Sequence, residues 1–275
     1  MLPTTIDEVI ARLEAIVEDS IARADRLGYF AALYLRVTLA VRDGIAEGRF
    51  DDGERMERLD VAFAGRYLAA YDLYRAGELP SRAWLRAFEA AADPHPIVLQ
   101  HLLAGMNAHI NLDLGVAAAR VCPGAELAPL RGDFDRINDV LASLTPLVEQ
   151  EVDGLSPDVA ALSGLAPKLE LRMVGFAMDD ARTAAWRFAQ ELAPLDPRGQ
   201  VPRMARRDGE VALLADAVLH DGLVVRAIRA RESGDVARNV EALARGELRA
   251  TVPPLPPAPP AGARSPSHPT PEDTR

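Results

Sequence analysis

Apolar residues recur at intervals of three and four positions along most of this chain, and this spacing constrains the fold more than any other feature. The first such series contains Ile6, Val9, Ile10, Leu13, Ile16, Val17 and Ile21. Side chains at these intervals share one face of an α-helix and bury it against other helices. The sequence has no convincing alternation of apolar and polar residues of the kind that indicates strands. We therefore expect an all-α fold.

Turn-forming residues divide the periodic segments and predict about nine helices in a single domain over residues 1–250. Gly28, Asp51-Asp52-Gly53, Gly77 and Asp93-Pro94-His95-Pro96 are the clearest breaks. The predicted helices cover about residues 5–27, 29–46, 54–75, 81–92, 96–119, 133–152, 167–192, 209–232 and 236–244.

The last 25 residues, 251–275, differ in composition from the rest of the chain and are rich in proline. Proline lacks a backbone N–H and fixes φ, so this stretch is expected to form neither helix nor sheet. We predict a disordered tail. A role of its prolines in recruiting a partner is the alternative.

The overall charge and the cysteine content exclude several classes of protein. The net charge is -10 and no local stripe of basic residues is evident, so a nucleic-acid partner is not expected. Cys122 is the one cysteine, which excludes an internal disulfide and a cysteine-based metal cluster. No uncharged apolar run approaches the roughly 18 residues of a membrane span. We expect a cytoplasmic protein, whose oligomeric state the sequence does not define.

Residues 101–114, called the polar segment below, have the pattern of a buried helix but contain five polar side chains. These are His101, Asn107, His109, Asn111 and Asp113. A polar group in an apolar environment costs about 1–3 kcal/mol unless it has a partner. Five of them in one helix predict a functional centre, and a small-molecule or lipid-like substrate is the expected ligand.

On a regular helix, His101, Gly105, His109 and Asp113 form one row with four-residue spacing. His109 and Asp113 are one turn apart, so they can bind one metal ion or form a His–carboxylate pair for acid–base catalysis. His101 lies about 12 Å before His109 along the axis and is predicted to be a second acid–base or ligand group. Gly105 leaves room between the two rings for a substrate or for another helix.

Other polar residues are candidates for the same site. Asn107 and Asn111 lie on another face of the helix and are predicted to orient substrate or water. Arg66, which shares the third helix with Asp60 and Phe63, can pair with Asp113 or bind an anionic substrate.

Asp135 is a candidate third ligand, so His109, Asp113 and Asp135 form the predicted ligand set for a divalent Zn, Fe or Mn ion. The neighbouring Asp133 is predicted to cap the helix that follows it.

The chain resembles a bacterial family known as domain of unknown function 5995. Three stretches carry the resemblance: residues 59–67 (LDVAFAGRY), residues 99–114 (LQHLLAGMNAHINLDL) and residues 133–138 (DFDRIN). The resemblance implies no reaction, substrate or cofactor, because the family has none assigned.

The leading hypothesis is an enzyme in which His101, His109 and Asp113 are catalytic, with hydrolysis as the first reaction class and a metal ion as an option. A metal-free lyase or cyclase using the His109–Asp113 pair is the second enzymatic hypothesis. The competing hypothesis is a non-catalytic binding or scaffold protein whose buried polar network fixes the register of its helices.

Overall fold

The computed structural model describes residues 2–155 and 177–245, and within them the chain is helical and contains no strand. The α-helices are α1 (Ile6–Arg23), α2 (Gly28–Ala46), α3 (Gly53–Arg75), α4 (Arg82–Ala92), α5 (Val98–Ala108), α6 (Gly115–Val121), α7 (Leu127–Leu155), α8 (Ala177–Leu192), α9 (Pro197–Val218), α10 (Leu223–Arg229) and α11 (Val236–Arg245). A π-helical turn (His109–Leu114) joins α5 to α6, and a 3-10 turn (Gly124–Glu126) precedes α7. The predicted all-α class is confirmed. The predicted tail, residues 251–275, lies outside the described residues.

Helix α2 is the centre of the bundle because it packs against α1, α3, α5, α7 and α11. Its first half, from Gly28 to Leu35, is buried on every side. Gly28 lies so close to α1 that a Cβ atom there would stand 2.5 Å from the Cβ of Ser20. This close approach brings the aromatic residues of α2 into the middle of the core, opposite the polar segment.

Three of the predicted helices differ from the observed ones. The predicted helix over residues 209–232 is two helices. The first, α9, begins at Pro197, where the Asp196 side chain accepts a hydrogen bond from the Gly199 N–H, and residues 219–222 separate it from α10. Helix α7 begins at Leu127 rather than at Asp133. The predicted single helix over residues 96–119 is interrupted by the π-helical turn, which a pattern of apolar residues does not reveal.

Asp133 does not cap its own helix, as the sequence predicted, but binds the start of α3. It is buried inside α7, and its carboxylate accepts hydrogen bonds from the backbone N–H groups of Asp51 and Asp52 at 2.7 and 3.2 Å. The guanidinium of Arg55 lies 2.5 Å from the same carboxylate. These bonds fix α3 against α7, and α3 in turn carries Asp60, Phe63 and Arg66.

Candidate functional site

The π-helical turn contains three of the five polar residues of the polar segment: His109, Asn111 and Asp113. In this conformation the backbone hydrogen bonds span five residues instead of four, and the turn therefore bulges from a regular helix. Such turns are rare and are found frequently at functional sites. The local backbone and the unusual composition thus point to the same six residues.

The His109 side chain lies in an aromatic cage, which we define as Phe30 and Tyr34 of α2, Phe63 and Tyr67 of α3, and Trp84 of α4. The centroids of these five rings lie between 3.5 and 6.4 Å from the imidazole centroid. His109 is 3% exposed, and neither ring nitrogen has a hydrogen-bond partner among the described residues. The imidazole is therefore held by ring contacts rather than by hydrogen bonds.

Burial holds the pKa of His109 well below its usual value, and the positive charge of Arg66 lowers it further. The imidazole is consequently neutral at physiological pH, and one of its nitrogens carries a free lone pair. Such a group can accept a proton or bind a metal ion.

Asp113 does not hold the His109 ring, although the two residues are four positions apart. One carboxylate oxygen accepts a hydrogen bond from Nε of Arg66 at 2.5 Å, and the other accepts one from the Trp84 indole N–H at 2.7 Å. Burial raises the pKa of Asp113, while the Arg66 charge and the two hydrogen bonds oppose that shift. The predicted hydrogen-bonded His109–Asp113 pair is thus absent from the described residues, and Asp113 instead ties the π-helical turn to α3 and α4.

Asn107 and Asn111 face α9 rather than His109. The Asn107 amide donates a hydrogen bond to the Val211 carbonyl at 2.9 Å, and its oxygen accepts one from the Asn111 amide at 3.0 Å. The Asn111 carbonyl accepts a hydrogen bond from Nε of Arg207 at 2.8 Å. The Asn107 side chain and the backbone carbonyl of Asn111 therefore connect this stretch to α9, and the predicted role of the two side chains in orienting substrate stays a prediction.

His101 lies on the other side of the cage from His109 and lines a cleft with Arg26, Trp84 and Gly105. The space next to Gly105 is filled by another helix, because a Cβ atom at Gly105 would lie 2.5 Å from the Phe30 ring of α2. Phe30 therefore separates the two histidines, which do not share one cavity.

The three predicted metal ligands are not brought together. Asp135 is half-exposed and pairs with Arg131 at 2.7 Å, whereas His109 and Asp113 are buried. Over residues 2–155 and 177–245, no three His, Cys, Asp or Glu side chains are placed to hold one ion. Of the three, His109 is the residue whose side chain has no hydrogen-bond partner among the described residues.

Asp60 was placed on the third helix by the sequence, but nothing in the pattern gave it a role. It is buried, and its Oδ2 has no hydrogen-bond partner among the described residues. Burial, with a smaller contribution from Glu57, raises the pKa of Asp60 to about 7. Its position between Met56 and Ala64 on the buried face of α3 was the available signal.

Within the described part of the chain, no helix is both long and apolar enough to cross a membrane. In the part of the chain that the structure describes, the protein is all-helical, and a histidine in a π-helical turn is enclosed by aromatic rings.

The chain belongs to a family of unknown function, DUF5995, whose model matches residues 6–221. The match covers the aromatic cage, the polar segment and all of α9, and it confirms the resemblance seen in the sequence. Comparisons with curated proteins and with solved structures gave no match.

Proposed function

We propose that this protein is an enzyme that uses His109 as the acid–base group in reactions of a small or lipid-like substrate. One observation carries the proposal: the His109 imidazole is buried in an aromatic cage and both its nitrogens lack hydrogen-bond partners among the described residues. Each buried polar atom without a partner costs about 1–3 kcal/mol. Proteins commonly accept such costs at functional sites.

The cage suits a substrate with an apolar part. Its rings offer an apolar surface, and the neutral imidazole in their midst has a free lone pair for a proton from water or from a substrate hydroxyl, although burial and the charge of Arg66 weaken it as a base. Phe63 is half-buried and lies directly on the imidazole, so a rotation of its side chain would open a route to His109. Hydrolysis is the first reaction class that we propose, with a cytoplasmic location.

A metal-assisted form of the reaction receives less support. The free lone pair of His109 suits Zn, Fe or Mn. No second and third ligand lie beside it among the described residues, so these would have to come from elsewhere. The metal-free form relies on the His109 imidazole and requires no further ligand, so we favour it.

The proposal is tested by hydrolysis of p-nitrophenyl butyrate and p-nitrophenyl octanoate. We expect saturable hydrolysis by the wild-type protein, and a fall of about 100-fold in His109→Asn, since a general base contributes rates of that order or more. His220→Asn is the matched control because His220 is exposed. Equal rates in wild type and His109→Asn, or no hydrolysis of either ester by the wild type, would contradict the proposed reaction.

The scaffold hypothesis is the second candidate, and it is favoured by the polar residues that do have partners. Asp113, Asn107 and Asn111 form hydrogen bonds that join the π-helical turn and α5 to α3, α4 and α9. Together with the hydrogen bond from the Asn111 side chain to the Asn107 side chain, they account for three of the five polar residues without catalysis. They leave His101 and His109 unexplained, and for this reason the enzymatic proposal stands first.

A further inference from the structure

A second polar site lies in the cleft between the α1–α2 turn, α4 and α5. Its lining includes Arg26, His101, Phe88 and Ala91, together with three residues of its inner wall, Phe30, Tyr67 and Trp84. The cleft spans about 290 Å³ including its open mouth, and only a small part of this volume is enclosed. The enclosed part has room for about one or two water molecules, so most atoms of a ligand of a few heavy atoms would lie in the open mouth.

His101 offers this cleft a hydrogen-bond acceptor. One side of the ring bonds to the backbone of Pro96, while Nε2 is buried and has no partner among the described residues. Burial first, and then the charge of Arg26, lower the pKa of His101 to about 4, against a weaker opposing effect of Asp93. With its proton directed at Pro96, the neutral ring presents Nε2 as an acceptor that requires a donor.

Arg26 offers the same cleft a positive charge. It is half-buried, and its hydrogen bond to the Ala91 carbonyl is long, at 3.4 Å. The adjacent Asp25 is engaged elsewhere, by Arg75 at 3.2 Å and by the Leu27 N–H at 3.0 Å. The five N–H donors of a guanidinium are suited to a carboxylate, which accepts two of them side by side.

We propose that the cleft binds a small hydroxycarboxylate of the size of glycolate. The carboxylate pairs with Arg26, and the hydroxyl donates a hydrogen bond to Nε2 of His101. A carboxylate without a hydroxyl group would leave Nε2 of His101 without a donor. A neutral alcohol would leave the positive charge of Arg26 without an anionic partner. The aromatic and alanine walls limit the ligand to a short carbon chain.

The test is a titration of the full-length protein with glycolate, followed by the ¹⁵N resonances of the histidine side chains and by calorimetry. We expect weak saturable binding in the millimolar range, as befits about five heavy atoms, with a shift of the His101 Nε2 resonance. Acetate lacks the hydroxyl and methyl glycolate lacks the charge, so each should bind about tenfold more weakly or not at all.

Variants separate the two contacts. Arg26→Gln and His101→Phe should each weaken glycolate binding by about tenfold or more, whereas Arg203→Gln, a change at an exposed arginine, should not alter it. Should His101→Phe fail to fold, the comparison of glycolate with acetate on the wild type still tests the hydroxyl contact. Equal affinities for glycolate and acetate, binding unaffected by Arg26→Gln, or no saturable binding would overturn the proposal. This titration does not measure ester hydrolysis. A failure of glycolate to bind therefore leaves the catalytic role proposed for His109 untouched.

Discussion

The His109 imidazole lies flat on the Phe63 ring, with the two centroids 3.5 Å apart and the planes inclined by 10°. This stacking is the closest of the five ring contacts that enclose His109, and no hydrogen bond from the described residues supplements it. Stacking of this kind contributes about 0.5–1.5 kcal/mol. It does not offset the cost of two buried nitrogens without partners, at about 1–3 kcal/mol each.

Arg66→Met is expected to destabilise the protein by about 3–5 kcal/mol, because it leaves the buried carboxylate of Asp113 without its charged partner. Trp84 would remain the one donor to that carboxylate at the described contacts. Urea denaturation of the two proteins measures the difference.

Adding Asp113→Asn to Arg66→Met provides the control for this prediction. The double variant should recover part of the lost stability, since the carboxamide is uncharged and needs no cation. A double variant that is less stable than Arg66→Met would contradict an uncompensated charge as the cause.

Asp60→Asn is expected to change how stability depends on pH. The pKa of Asp60 is about 7 in the folded protein and 3.8 in the reference state, so between these values the folded chain holds a proton that the unfolded chain has released. The contribution of Asp60 to stability is therefore present in full below about pH 4 and declines as the pH rises to about 7. The full difference is at most about 4 kcal/mol.

The measurement for Asp60 is the free energy of unfolding at several pH values between 4 and 8. Asp60→Asn should be more stable than the wild type at pH 8, and the advantage should shrink towards pH 4. Asp180→Asn, at an exposed site on α8, serves as the control. A difference between wild type and Asp60→Asn that does not vary with pH would show that the carboxyl keeps its usual pKa.

Gly105→Ala is expected to destabilise the protein by about 1–3 kcal/mol, because the new methyl group would lie 2.5 Å from the Phe30 ring. Phe30→Ala in the same chain removes Cγ and Cδ2, the two ring atoms that would lie 2.5 Å from the new methyl group. Thermal unfolding of the two single variants and the double variant measures their coupling. If the stability losses of the two single variants add up to the loss in the double variant, contact with Phe30 is not the reason that position 105 requires glycine.

Much of the fold could be predicted from the sequence because helical periodicity and turn residues are local signals. The helix that follows Asp52 is an example, as its predicted and observed ends both lie at Arg75. The predicted helix boundaries were wrong where contacts between distant parts of the chain determine where a helix begins. Asp133 is a residue type that often caps helices, yet its carboxylate accepts hydrogen bonds from the distant N–H groups of Asp51 and Asp52.

The candidate site could be located from the sequence but not assembled. The polar segment was conspicuous since polar residues rarely occupy an apolar helix, and one of its members, His109, is the residue that the aromatic cage encloses. Which of them pair depends on other helices: Trp84 and Arg66 bind Asp113, and Phe63 covers His109. No spacing within residues 101–114 specifies those partners, so the His109–Asp113 pair suggested by spacing alone does not form.

The most direct test of the account is the free energy of unfolding of His109→Met, measured by urea denaturation at pH 7.5 beside the wild type and His220→Met. Methionine is close to histidine in size, adapts to irregular cavities and has no nitrogen to satisfy. If His109 is retained for its chemistry, His109→Met should be more stable than the wild type by about 1–3 kcal/mol, while the exposed His220→Met stays unchanged. A loss of several kcal/mol in His109→Met would contradict the account and would show that the imidazole is a structural part of the core.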